Sequence, residues 1–339
     1  MDALVLLSNK DLNALTKKRS GESKFGEHVQ ILPNSTNIYD DILDLDVTHV
    51  IFGIKEDIGV FANYGTPGAA NAWDATLKVL LNIQNNEYTN PKKVLILGHL
   101  EYPKSQEKLK TFDANNKKDI TKARRKVEKI DKDVSLLISK IVSAGKIPVV
   151  IGGGHNNAYG NIKGSALGLG KPINAINFDA HCDFRKEEGR HSGNGFSYAF
   201  NEGFLENYFI FGLHENYTSE ALFKTLNKLP NVKYNTYENL KIRRKTNFNT
   251  EIIRAKNHIC NTPFGIEIDC DAIENIPSSA MTPSGFSANK ARAFVNEFGA
   301  HKNATYLHIC EAAPTKDTET LVGKLITYLI TDFLRARHL

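Results

Sequence analysis

Apolar, β-branched runs alternate along this chain with longer stretches in which apolar residues recur every three to four positions. Thr48–Ile54 (THVIFGI) and Lys93–Leu97 (KVLIL) read as buried strands, since a short continuous apolar run suits a strand covered on both faces. Between them, the spacing of Ala69–Ile83 predicts a helix. Asp119–Ala144 sets Val127, Ile130, Val134, Leu137, Ile138 and Ile141 on one face at a 3.6-residue period and ends at Gly145, a helix stop signal. Further strands are predicted at Ile147–Ile151, Ile173–Phe178, Tyr208–Phe211, Phe264–Ile268 and Thr305–Ile309, and helices over Ala288–Phe298 and Thr320–Arg337. Such β/α alternation predicts an α/β fold of three layers, α/β/α, with a central parallel sheet. The first 45 residues are less regular and suit an edge strand or cap. No internal repeat, low-complexity linker or composition break divides the chain, so residues 1–339 read as a single domain.

Composition narrows the function classes. Apolar content of 41% and charged content of 24% are those of a soluble globular protein. No apolar stretch approaches the ~20 residues that span a bilayer. The amino terminus has no basic segment before its short apolar run, unlike a secretory signal. A cytoplasmic protein without a membrane partner is expected, with homo-oligomerisation left open. Much of the net charge of +5 lies between Lys104 and Lys129, in the segments KSQEKLK and KKDITKARRKVEK, which are interleaved with acids and hold no aromatics. That suits a solvated helix face and no nucleic-acid partner. The four cysteines show no CxxC spacing, against a zinc ribbon or thioredoxin-like site. Cys182 and Cys270 each sit between two candidate ligands. In extended segments they would point away from them as small buried hydrophobes.

The chemistry concentrates in three clusters, each following a strand-like run: His155 in GGGH, Asp179, His181 and Asp183 in NFDAHCD, and Asp269 and Asp271 in IEIDCD. The carboxyl ends of parallel strands open onto the active-site crevice. If the segments are extended, the i, i+2, i+4 spacing puts each set on one side. Four carboxylates and two imidazoles there would cage two divalent cations, and hard oxygen donors favour Mn²⁺ over structural zinc. Helix caps, turn formers and satisfied core histidines account for any one of these residues, but poorly for six at three strand ends. Gly152 to Gly154 lack the GxxxxGK[ST] and GxGxxG phosphate-binding patterns and suit a close backbone approach instead.

These segments resemble the signature motifs of the ureohydrolase (arginase/agmatinase/formimidoylglutamase) superfamily over roughly residues 45 to 335. GG-x-H is matched by Gly153-Gly154-His155, D-A-H-x-D by Asp179 to Asp183, D-x-D by Asp269-Cys270-Asp271, and a late glutamate and proline by Glu311 and Pro314. The resemblance implies the arginase-like fold and two Mn²⁺. One would be held by His155, Asp179, Asp183 and Asp269, the other by Asp179, His181, Asp269 and Asp271. It also implies attack by a metal-bridging hydroxide, with Asp183 orienting it and passing its proton to the departing amine. Glu311 would pair with the cationic amidine or guanidine of a small-molecule substrate.

Three features lean toward the formimidoylglutamase pattern, whose members cleave N-formimidoyl-L-glutamate to L-glutamate and formamide in histidine degradation. Ser192-Gly193-Asn194-Gly195-Phe196 resembles SGTPF, with Phe196 where arginases and agmatinases carry a proton-shuttling histidine. FDAHCDFR is similar to FDAHFDLR, and its Arg185 would recognise a substrate carboxylate. Asp57 to Ala69 fits the D-E-G-V-x-x-N-x-G-R-x-G-A spacing, with Thr66 in the arginine's place; no Asp-Pro follows the D-x-D run. Asn63, Arg185, Ser192 and Asn194 are thus candidate substrate contacts, with Asp183 and Glu311 the catalytic pair. The alternatives are an arginase or other guanidino-acid hydrolase releasing urea, and a non-catalytic metal-binding homologue.

Overall fold

A computed structural model describes residues 3–35 and 37–337. Ten strands form one sheet: β1 Leu4–Leu6, β2 Gln30–Ile31, β3 His49–Lys55, β4 Val94–Glu101, β5 Ile147–Ile151, β6 Ile173–Phe178, β7 Leu205–Leu213, β8 Val232–Thr236, β9 Phe264–Asp269 and β10 Ala304–Cys310. Their order is β1-β4-β3-β5-β10-β9-β6-β7-β8, with β2 also on β4. Every pairing is parallel except that of β1 with β4, so the irregular amino-terminal segment does supply an edge strand. The chain enters β5 and β6 in succession, yet β10 and β9 lie between them. That places β5, β10, β9 and β6 side by side at the centre, where crevices open in such sheets.

Alternating strand side chains supply two cores. Ile51, Ile96, Val149, Ile176 and Ile266 pack under helices Ala72–Leu80, Phe248–Ile259, Ala288–Gly299 and Glu319–Ala336. On the other face, Val50, Phe52, Leu95 and Val150 meet helix Lys117–Ser143, and Ala175 and Tyr208 meet helices Asn157–Leu169 and Gly195–Asn201. Lys117, Lys118, Lys122, Arg125 and Lys129 are exposed, as a solvated helix face requires. Among the described residues, no helix is long and apolar enough to cross a membrane.

Most predicted elements stand within a few residues. The expected helix over Ala69–Ile83 is a 3₁₀ turn, Ala69–Asn71, followed by a helix ending at Leu80. Helix Asn157–Leu169 is absent from the sequence reading because glycine is a poor helix former. Its glycines are used for packing. A Cβ at Gly160 would meet Val134 at 2.6 Å and one at Gly164 the Ser135 carbonyl at 2.6 Å, so the bare backbone lies directly against helix Lys117–Ser143.

After β6 the chain runs through an irregular loop to the turn Ser192–Asn194. Arg190 organises it from inside. Its guanidinium donates to Asp131 Oδ2 (2.9 Å), Asn194 Oδ1 (2.5 Å) and the Asn156 carbonyl (2.9 Å), between the rings of Tyr159 and Tyr198. His191 is fully buried and accepts the Gly193 N–H at Nδ1, which requires a neutral ring.

Two outcomes follow from this packing. Phe178, fully buried with ring centroids 4.7 Å from Phe286 and 4.8 Å from Phe294, ends the strand that leads into Asp179. Phe178→Ala is expected to cost about 3–5 kcal/mol in denaturant unfolding; a loss below about 1 kcal/mol would contradict this packing. Burial, with Arg124, Arg185 and Arg190 nearby, pushes the His191 imidazole down to about 3. An unfolded histidine takes up its proton near 6.5, so between these values the unfolded state binds more protons and stability falls as pH falls. A His191→Gln variant should therefore lose less stability than the parent between about pH 6.5 and about pH 4.5. Parallel profiles would show that His191 is not held neutral.

Candidate metal centre

The six candidate ligands converge above β5, β6 and β9, but not through extended segments. β6 stops at Phe178 and β9 at Asp269. Asp183 takes a left-handed conformation (φ 43°), and Asp271 lies in a 3₁₀ turn, Cys270–Ala272. The expected strand-like alternation is thus corrected. Side-chain hydrogen bonds turn the chain, as Asp179 Oδ1 accepts the His181 N–H (2.7 Å) and Asp269 Oδ1 the Asp271 N–H (2.8 Å). Cys182 and Cys270 are nonetheless buried. Burial pushes the Cys182 thiol up to about 12.

His155 reaches the site through a loop that opens with Gly152 and Gly153, both left-handed. A Cβ on Gly153 would meet Asn157 Nδ2 at 2.4 Å, so close approach does explain that glycine. Glu56, fully buried, ties this loop to the one after β3. It accepts from the Ile58, Gly59 and Gly154 N–H groups and from the Asn156 and Asn157 amides, at 2.7–3.2 Å. Sequence reasoning missed Glu56; its one signal is an acid between an apolar strand and a glycine-containing turn.

His155 Nδ1 lies 2.8 Å from Asp183 Oδ2, 3.1 Å from Asp269 Oδ2 and 3.3 Å from Asp179 Oδ2. His181 Nδ1 lies 3.0 Å from Asp271 Oδ2 and 3.5 Å from Asp179 Oδ1. Besides His155 with His308 and Cys310, two groups form among the described residues, each with ligand atoms within 4.8 Å of one another: His155, Asp179, Asp183 and Asp269, and then Asp179, His181 and Asp271. Asp179 is in both. Asp269, expected to bridge as well, joins only the first.

The donors fit divalent cations. His155 Nδ1 and Asp271 Oδ1 are buried without an aligned hydrogen-bond partner, although carboxylates crowd around the imidazole. Burial raises the proton affinity of Asp183, Asp269 and Asp271, the last to about 6, and neighbouring aspartates add to it. Burial works against protonation of His155 and His181, yet Cys310 with the neighbouring aspartates at His155, and Asp271 with Asp179 at His181, hold both imidazoles well above their usual range. For Asp179, burial is outweighed by the two imidazoles, leaving its carboxyl below the ordinary range. A cation would replace the protons this crowd otherwise recruits.

A cavity of about 450 Å³ opens onto these groups. Asn63, Arg185, Ser192 and Glu311 line it. Arg185 Nη1 donates to Asn63 Oδ1 (2.9 Å), and Asn63 Nδ2 to Ser192 Oγ (3.1 Å), forming one wall. Glu311, left-handed at φ 61°, accepts the His155 N–H at 2.8 Å. Burial and Asp269 raise its proton affinity. Asn194 departs from its expected place as a substrate contact. It is fully buried, and its amide is used up on Arg190, the His191 N–H and the Lys186 and Gly189 carbonyls. Phe196 does not face the cavity either; it stacks on Tyr208 at 4.4 Å and sets an edge-on contact with His155 at 5.2 Å.

The sequence profile of the arginase family matches residues 48–334. A formimidoylglutamase of Streptococcus pyogenes is 25% identical over 305 residues, covering 86% of each chain. A crystal structure of a Trypanosoma cruzi formiminoglutamase variant with Mn²⁺ superposes with a TM-score of 0.72 at 16% identity, covering 94% of this chain and 98% of that one. Formimidoylglutamase from Bacillus subtilis superposes with a TM-score of 0.72 at 19% identity, covering 95% and 94%. The profile match, spanning the strands that lead to all six candidate ligands, makes the chain a member of the arginase family of hydrolases.

Proposed function

We propose that this protein is a cytoplasmic, single-domain, binuclear Mn²⁺ hydrolase that cleaves N-formimidoyl-L-glutamate to L-glutamate and formamide. The observation that carries the reading is Asp179, common to two ligand groups beneath a cavity whose wall holds Arg185. Bound divalent cations would acidify water there and so supply a nucleophile near neutral pH.

The chain's own residues divide the remaining work. His155, Asp179, Asp183 and Asp269 would hold one ion and His181, Asp271 and Asp179 the other, with Asp269 also within the family's second set. Glu311 lines the cavity and would pair with the cationic formimino group. Asp183, whose proton affinity burial and Asp179 raise, is suited to hand a proton to the departing nitrogen. Arg185, steadied by Asn63 and through it Ser192, would take a substrate carboxylate, so that charge at both ends would orient the scissile C–N bond. Phe196, which meets His155 edge-on, has no group to move a proton and leaves that transfer to Asp183.

Arginine offers a similar cation and carboxylate, so the product decides. Mn²⁺-loaded protein should release formamide from N-formimidoyl-L-glutamate; urea from arginine without formamide activity would replace this reading with an arginase. Failure to hydrolyse either amidines or guanidines would favour a non-catalytic homologue. Asp183→Asn should lower kcat by about 10²–10⁴. Arg185→Gln should act on KM, raising it by about tenfold for the loss of ~1.4 kcal/mol of binding. A KM that does not move would remove Arg185 from substrate recognition.

A further inference from the structure

Beneath the candidate ligands lies a second polar layer that the proposed chemistry does not use. Glu267 sits two residues before Asp269 on β9, hence on the same face, and pairs in register with His308 of β10. Its Oε2 lies 2.5 Å from His308 Nδ1, and its Oε1 accepts the Tyr306 hydroxyl at 2.6 Å. His308 Nε2 approaches the Gly152 carbonyl, at the root of the His155 loop, at 3.4 Å. Glu267, His308 and Tyr306 are all fully buried. The Tyr306 ring reaches Glu267 by lying over Gly265, where a Cβ would come within 2.1 Å of it.

Burying a carboxylate costs several kcal/mol even when paired, so this arrangement is not explained by stability alone. Its geometry points at His155. Nε2 of that imidazole is buried and makes no aligned hydrogen bond, while Glu267 Oε2 stands 3.5 Å away. Cys310 is also beside the ring, but a thiol is a weak acceptor and its own contact is to the Ile268 carbonyl. Nδ1 faces three aspartates on the opposite side. An imidazole can give its Nδ1 lone pair to a cation only if its proton resides on Nε2.

We propose that Glu267, clamped by Tyr306 and His308, is the positioning residue for His155. It takes the Nε2–H, fixes the tautomer that leaves Nδ1 free, and sets the affinity of the metal position beside His155 while leaving that beside His181 alone. The assignment rests on the binuclear reading above and adds residues which that reading does not contain. The pair is the buried carboxylate–histidine arrangement that orients metal-bound imidazoles elsewhere.

Calorimetric titration of the metal-free protein with Mn²⁺ tests it without any activity readout. The parent should bind two ions. Glu267→Gln, which keeps the shape, should weaken one of the two steps by about 10–100-fold and leave the other in place. Tyr306→Phe should weaken the same step by less. A folded Glu267→Gln protein with both steps unchanged, or with both weakened equally, would overturn the proposal while the binuclear reading stands. If Glu267→Gln does not fold, Tyr306→Phe alone decides by the same criterion. A parent that binds no Mn²⁺ would overturn both.

Discussion

Four carboxylates of Asp179, Asp183, Asp269 and Asp271 are packed together at under a tenth of their free exposure, with only two imidazoles among them. Like charges in such a space repel strongly, and desolvation removes the water that would otherwise soften the repulsion. Only added positive charge relieves it. Protons do so in part, as the raised affinities of Asp183, Asp269 and Asp271 indicate. Divalent cations do so more completely and match the oxygen-rich donor set.

Much of the surrounding structure serves to hold that crowd in place. Asp183 and Glu311 both adopt left-handed backbone conformations, each costing on the order of 1–3 kcal/mol for a residue with a side chain. Glu56 offsets part of this by drawing two loops onto one carboxylate. Gly59 lies so close to Asn156 that a Cβ would come within 1.7 Å of its amide oxygen. The His155 loop and the Asn63 turn are therefore packed directly together, and Asn63 extends the hydrogen bonding to Arg185 and Ser192. The candidate ligand His155 and the cavity wall are thus linked through hydrogen bonds and close packing.

The layers of the fold were legible because buried parallel strands write themselves as apolar runs and helix Lys117–Ser143 as a 3.6-residue stripe. The six candidate ligands were legible because their clusters follow strand-like runs. What escaped the sequence is set by tertiary contact. Helix Asn157–Leu169 hides behind glycines that exist for a neighbouring helix. The turns that bring Asp183 and Asp271 around are made by side chains accepting backbone N–H groups, which no periodicity reports. Asn194 sits beside Ser192 in the motif, yet Arg190 draws it inward. Glu56 and Glu267 look like ordinary acids until their partners, roughly 100 and 40 residues away, are brought beside them in the fold.

On the proposed function, the carboxylate crowd is a two-metal site joined at Asp179. Crystals of the protein soaked in Mn²⁺ and measured for anomalous scattering test it directly. Two peaks should appear about 3.5–4 Å apart, one beside His155 and one beside His181, with Asp179 contacting both. A single peak, or ions bound away from Asp179, would contradict the account.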